Sequence, residues 1–462
     1  MNLKKYIGDR AFYRALLAVA IPIIIQNSIT NFISLLDNVM VGQIGTEQMS
    51  GVSIVNQLLF VFNLCIFGAL SGAGLFSAQF FGNKEYENLR HTFRYKVIIS
   101  LVICAGAIGI FLVAGESLVS LYLHEGSETG DLALTLHYAK KYLAVSLFGL
   151  FPFTITQIYA SSLREVKHTV PPMVAGIIGV CVNLSLNYVL IFGKLGAPAL
   201  GVEGAALATV ISRFVECICV IVWTHLHTKE CPFIVGVYRS FRIPRELVKS
   251  ITITGTPLLL NETLWAAGQA MLLQCYSLRG IATVSAMNIS GIAFNTFSVL
   301  YFSMGTTIAI LVGHRLGEGD LERAADDAKK MIAFSTLLGV ISGILIAICS
   351  TFFPDLYNTT EEVRALAASF IITVAVSAPI QAILNASYFT LRSGGKTLLT
   401  FLFDSGYVWG FTIPLSYCMI RFTNLPVELV YFMCYNSDII RCVLGIVLVK
   451  KGIWLNDLTK KH

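Results

Sequence analysis

The chain is short of charge. Only 13% of its 462 residues are Asp, Glu, Lys or Arg, against about a quarter in soluble domains. Apolar stretches recur along the whole length, which leaves no room for a separate water-soluble domain. The signs of an enzyme are also missing. No nucleophile–base triad and no Gly-rich dinucleotide motif is present. Gly394-Gly395-Lys396-Thr397 looks like the tail of a phosphate-binding loop. Thr390 stands at the first glycine position, however, and no strand precedes it, so ATP binding is rejected. The eleven cysteines include no pair with zinc spacing and further ligands nearby. Most lie in apolar stretches, as Cys65, Cys104, Cys181, Cys217, Cys219, Cys349 and Cys442 do, and read as small buried hydrophobes. No metal and no cofactor is expected.

What the chain has is apolar length. It is 55% hydrophobic, with a mean hydropathy of +0.73. Twelve stretches reach the roughly 20 residues that span a bilayer as a helix. They lie near 14–40, 51–80, 94–115, 138–162, 169–192, 201–225, 248–275, 284–312, 330–353, 365–390, 398–421 and 427–449. Lys4, Lys5, Arg10 and Arg14 precede the first, but it is too long for a signal peptide and lacks a small-residue cleavage site. It is read as the first span.

Loop charge sets the expected topology. With the N-terminus in the cytoplasm, the inner segments hold 25 of the 33 Lys and Arg, the outer segments six, and Arg213 and Arg441 fall inside the membrane. One outer loop carries Glu116, Glu125, Glu128 and Asp131, and another Asp355, Glu361 and Glu362. The net charge of +6 is therefore a topogenic bias, and no nucleic-acid partner is expected. Both termini are placed in the cytoplasm, and the location expected is the cell (plasma) membrane.

The sequence also repeats itself. A shift of 235 lays Pro22 on Pro257, Gly45 on Gly280, Ser50 on Ser285, Gly82 on Gly317 and Glu87 on Glu322. A shift of 228 then lays Leu163-Arg164 on Leu391-Arg392, Pro198 on Pro426 and Arg213 on Arg441. The shared positions are turns and helix breakers. Six spans per half give the halves one orientation, related by an axis along the membrane normal. The expected fold is all-α and polytopic: twelve transmembrane helices in two pseudo-symmetric six-helix lobes. The first lobe is 1–225, the second 248–462, and 226–247 is a cytoplasmic linker.

Polar groups inside a membrane are costly and need a reason. In the first span Asn27, Thr30, Asn31, Ser34, Asp37 and Asn38 recur every three to four residues, on one stripe. That pattern suits the wall of a wet cavity, with Asn27, Thr30 and Ser34 toward a substrate; interhelical hydrogen bonds would give it too. Asp37 suits a switch for a proton or a sodium ion. Asn183 and Asn187 lie one turn apart in the fifth span, and Thr209 lies in the sixth. In the seventh, Leu272 stands where Asp37 would be, and the carboxylate is Glu262, near midspan. Trp265, Gln269 and Tyr276 continue its face, which suits a cationic aromatic ligand through charge and cation–π attraction. Asp404 is a further candidate. Arg213/Glu216 and Asp438/Arg441, at i,i+3 spacing, read as structural pairs. Pro22 and Pro257 break the first helix of each half at equivalent depth, and Pro152 and Pro379 the fourth. Such breaks point to a midplane site, or only to kinks.

Together these residues resemble a family. Leu36-Asp37-Asn38-Val39-Met40-Val41-Gly42, Gln79-Phe80-Phe81-Gly82-Asn83, Asn187-Tyr188-Val189-Leu190-Ile191-Phe192-Gly193, Gly201-Val202-Glu203-Gly204-Ala205-Ala206-Leu207-Ala208-Thr209 and Pro257-Leu258-Leu259-Leu260-Asn261-Glu262 are similar to the multidrug and toxic compound extrusion (MATE) family. The resemblance implies a secondary active antiporter of the MATE/MOP-type fold. It would export cationic or amphipathic drugs in exchange for protons or sodium. The resemblance places cation coupling at Asp37, Asn183 and Thr209, the candidate sodium ligands, and puts Asn187 where many members have a second acid. Glu262 matches a coupling acid of some members, while Gln381 stands at their further acid. The alternatives are a lipid-linked oligosaccharide flippase, which needs a basic cavity, and a major-facilitator transporter, whose Gly-Arg signature is not matched by Gly82-Asn83-Lys84-Glu85. A monomer with small-molecule substrates and a lipid bilayer as partners is expected.

Overall fold

The computed structural model describes residues 6–121, 131–357 and 359–461, and only the backbone at 33–36, 38, 39, 46 and 461. Glu125 and Glu128 and the side chains of Ser34 and Asn38 lie outside what is described. Twelve long helices run through the described residues: α1 (Arg10–Gly42), α2 (Thr46–Gly82), α3 (Tyr86–Ser120), α4 (Leu132–Glu165), α5 (Val170–Phe192), α6 (Val202–Leu226), α7 (Arg245–Ser277), α8 (Ile281–Gly317), α9 (Leu321–Cys349), α10 (Glu361–Ser393), α11 (Thr397–Phe422) and α12 (Val427–Lys450). Eleven are long and apolar enough to cross a membrane. The exception is α7, whose length suffices but whose Thr252, Thr254, Thr256, Asn261, Glu262 and Gln269 dilute its apolar content.

Local chemistry sets the helix ends. Asp131 caps α4, its Oδ1 accepting from the Ala133 and Leu134 amides at 2.9 and 3.2 Å. Asp320 does the same for α9 through the Arg323 amide. Pro171 and Pro172 open α5, where their missing donors cost nothing, and Gly193 ends it at φ 66°. Within α11 the segments Leu402–Gly406 and Val408–Thr412 are π-helical, a form concentrated at functional sites.

The chain divides into two compact units. One holds Ile25–Ser77 and Tyr86–Val248; the other holds the segment ending at Ile24, Ala78–Glu85 and Lys249 onward. The chain passes from one to the other within α1, just after Pro22, which lacks the donor for an i→i−4 bond.

The first unit is built on Val41, Val52, Val55, Leu58, Tyr142, Leu143, Ile191 and Val202. At one end Phe233 stacks on Phe93, centroids 5.2 Å apart. Arg94 donates to the carbonyls of Val237 and Gly236 at 2.8 and 3.2 Å. The segment after α6 is therefore packed rather than loose. Burial pushes the Cys231 thiol there up to about 12, so it stays a thiol. Nearby, fully buried Lys96 pairs with Glu165 and donates to Ser162 Oγ at 3.2 Å.

In the second unit Tyr276, Phe370, Ile371, Val374 and Tyr431 form one core, and Leu16, Ala20, Met304, Ile308 and Trp454 another. The sequence repeat is visible here as a contact. A Cβ on Gly82 would strike the His314 carbonyl, and one on Gly317 the Gln79 carbonyl. A Cβ on Gly313 would come within 2.8 Å of Ala78 Cβ. Under the shift of 235, Ala78, Gln79 and Gly82 are the counterparts of Gly313, His314 and Gly317. The ends of α2 and α8 thus cross on matched small-x-x-x-small faces, which let two backbones approach. Buried Gln79 is locked there: Nε2 donates to Ser393 O at 3.0 Å and Asn456 O at 3.3 Å, and Oε1 accepts from Leu458 N at 2.7 Å. We expect Gly317→Val to lower the thermal midpoint of the detergent-purified protein, because the clash is with backbone and overpacking costs about 1–3 kcal/mol. Gly291→Ala, whose Cβ meets nothing within 4 Å, should not lower it.

Candidate functional site

The first unit holds a partly open cavity of about 380 Å³, within the range of small-molecule sites. Five helices line it: α1 gives Asp37 and Val41, α2 Ser53, Asn56 and Asn63, α4 Tyr142 and Phe153, α5 Asn187, and α6 Thr209 and Arg213. Asp37 is the one carboxylate among the lining residues. Asn187 Nδ2 donates to Asp37 Oδ1 at 2.5 Å and to Asn183 Oδ1 at 3.1 Å. Asn183 Nδ2 donates onward to Thr209 Oγ1 at 3.3 Å. The helical spacing of Asn183 and Asn187 explains this: both amides sit on the buried face of α5, toward α6 and the end of α1. Asp37, Asn183, Asn187 and Thr209 thus form one hydrogen-bonded chain that ends on a carboxylate.

The rest of the α1 stripe goes elsewhere. Asn27 and Thr30 are exposed and do not line this cavity, and Thr30 donates to its own helix at Gln26 O. Asn56, Asn63, Tyr142 and Arg213 are lining residues that sequence reasoning did not single out for a site. Asn56 and Asn63 are seven residues apart on one face of an apolar helix, which was the available signal. Arg213 keeps the expected pair with Glu216 at 3.3 Å. It also lies over the Phe153 ring, 4.9 Å from its centroid, and reaches the cavity.

The second unit holds a denser set of charges. Arg441 donates to Asp404 at 2.6 Å and to Asp438 at 3.0 Å, and Gln381 Nε2 donates to Asp438 at 2.7 Å. Asn261 Nδ2 bridges Asp404 and Tyr388 at 3.0 and 3.2 Å. Arg392 lies 3.8 Å from Glu262 and over the rings of Tyr388 and Phe389. Asp404, a candidate for facing a substrate, lies in the π-helical turn Leu402–Gly406 and is paired with the Arg441 guanidinium of α12. Tyr276 is likewise a core residue, 3% exposed and edge-on to Tyr431 at 5.5 Å. Trp265 is 38% exposed, and Gln269 is exposed on the same face of α7.

Comparison with known proteins agrees with this architecture. The MatE family model matches residues 22–189 and again residues 257–418. The chain belongs to that family. A probable multidrug resistance protein NorM of Bacillus subtilis is 25% identical over 445 residues, covering 92% of each chain. A multidrug resistance protein MdtK of Pectobacterium atrosepticum is 25% identical over 421 residues, covering 88% of this chain and 87% of that one. Among solved structures, an outward-facing multidrug resistance MATE family transporter of the MOP superfamily has a TM-score of 0.87 at 18% identity, covering 100% of this chain and 99% of that one. A MOP superfamily transporter from Pyrococcus furiosus, described by the reversed polarity of its binding pocket, has a TM-score of 0.86 at 19% identity over 97% of each chain. At such identities the structures speak to fold alone. The MatE chain described here is a multi-pass membrane protein of the MATE/MOP fold.

Proposed function

We propose that this MatE chain is a secondary antiporter that exports cationic or amphipathic small molecules by alternating access, driven by an inward flow of cations. The observation that carries the reading is the Asp37 carboxylate on the wall of a cavity of about 380 Å³ between apolar helices. An intramembrane ionisable residue that faces a cavity is a functional-site candidate by default. The names of the relatives above point the same way.

Asp37 is the coupling acid in this reading, with Asn187, Asn183 and Thr209 as its neutral partners. With one carboxylate and no second acid, the cavity suits a proton better than sodium. Drug and cation need only favour different states, or compete for the carboxylate, for their flows to be coupled. Glu262, Trp265 and Gln269 are proposed to meet substrate from the second half. The halves 1–225 and 248–462 act as the two lobes, joined by 226–247, in a monomer with both termini in the cytoplasm.

The test is dye efflux from proteoliposomes under an imposed pH gradient or an imposed sodium gradient. Efflux of a cationic dye under the pH gradient alone is expected. If neither gradient moves dye, the export reading fails and a lipid-linked substrate comes forward.

A further inference from the structure

Arg213 has no place in the coupling scheme so far, yet its charge faces the same cavity as Asp37. Two contacts set its position. Glu216, one turn on in α6, pairs with it at 3.3 Å, and Phe153 of α4 lies under the guanidinium. Glu216 is not among the lining residues, and its side chain is 11% exposed against 34% for Arg213. The pair therefore turns its positive end to the cavity.

The groups around Asp37 can be taken helix by helix. From α2 come Ser53, Asn56 and Asn63, and from α5 Asn187, none of them titratable near neutral pH. From α4 comes Tyr142, whose hydroxyl donates to Asn56 Oδ1 at 3.3 Å. From α6 come Thr209 and Arg213, the latter with Glu216 behind it. The charged lining residues are thus one carboxylate and one guanidinium, the latter partly offset by Glu216 at 3.3 Å.

A sodium ion is held only by the field of its ligands, and a fixed cation in the same low-dielectric cavity cancels much of that field. A proton forms a covalent bond to a carboxylate oxygen, so the same repulsion weakens a bond that still forms. Asn187 adds a second observation. It is 1% exposed, and its Oδ1 has no hydrogen-bond partner among the described residues, while its Nδ2 donates to Asp37. Rotation of the Asn187 and Asn183 amides together would offer the Asn187 oxygen to a protonated Asp37, keep a bond between the two amides and let Thr209 donate to Asn183. The neutral partners can thus accommodate a protonated Asp37 without a metal-like ligand shell.

We propose that Arg213 is the ion-selecting residue of this transporter, a positioning residue that bars sodium from the Asp37 site and leaves the proton as the coupling ion. The proposal rests on the export reading above. It is tested in proteoliposomes with wild type, Arg213→Gln, Arg213→Lys and Glu216→Gln, reading dye efflux against pH without sodium and against a sodium gradient at fixed pH. Wild type should respond to the pH gradient alone. Arg213→Gln should gain a sodium-driven rate about tenfold above the wild-type background and keep proton-driven efflux to higher pH. Arg213→Lys, which keeps the charge, should keep the wild-type ion preference. Glu216→Gln, which strips Arg213 of its counter-ion, should shift efflux to lower pH, and it carries the test if Arg213→Gln fails to fold. An unshifted pH profile and ion preference in both Arg213→Gln and Glu216→Gln overturns the proposal. Sodium-driven efflux by wild type also overturns it, while leaving export intact. Absence of any dye efflux from wild type overturns both readings.

Discussion

Asp37→Asn is expected to yield a protein that folds and inserts normally but exports dye no faster than empty liposomes. The replacement is nearly isosteric, and its side-chain oxygen can still accept the bond that Asn187 Nδ2 gives to Asp37 at 2.5 Å. Packing therefore changes little. What is lost is the one carboxylate among the cavity-lining residues, and with it any group there that can bind and release a cation. Antiport needs the cation and the drug to bias different states, and a ligand that no longer binds biases nothing. Efflux from proteoliposomes, with size-exclusion profiles as the folding control, reads both halves of the prediction. Wild-type efflux by the asparagine variant would end the role given to Asp37.

The second large effect concerns stability. Lys96 is fully buried in α3, and its partner Glu165 closes α4. A Cβ on Gly74 of α2 would sit 2.7 Å from Glu165 Oε1, so the carboxylate is hemmed in by a third helix. Lys96→Met removes the paired cation and leaves Arg164 as a remaining charge near that carboxylate; breaking a buried pair costs up to about 3–5 kcal/mol. A sharp fall in thermal midpoint and in folded yield is expected. Lys96→Met combined with Glu165→Gln removes both charges of the pair and should recover most of the loss. A single variant as stable as wild type would show that groups other than Lys96 compensate Glu165.

The fold was legible in the sequence because the bilayer demands long apolar runs, and because Pro and Gly positions recurred at shifts of 235 and 228. The neighbourhood of Asp37 was legible in part. Asn183 and Asn187 announce a shared face by their spacing, and Thr209 follows from the family resemblance. Arg213 was hidden because its pairing with Glu216 is local, while its exposure to the cavity depends on where α1 and α2 pack against α6. The pairing of Asp404 was hidden for a related reason. Its partner Arg441 is 37 residues away, and the π-helical turn that aims it leaves no periodic signal. Tyr276 shows a limit of the stripe argument: a residue in phase with Glu262 on α7 can still lie beyond the polar stretch and enter the core.

The crossing of α2 and α8 carries a consequence for ancestry. Gly82 meets His314, and Gly317 meets Gln79, the repeat counterparts of one another. This reciprocity is the mark of an isologous interface, in which one surface complements itself across a two-fold axis. Two separate copies of a six-helix half, bearing the same small residues, would make both contacts at once. The link from α6 to α7 therefore ties together a pairing that a symmetric dimer of half-length chains could already have formed.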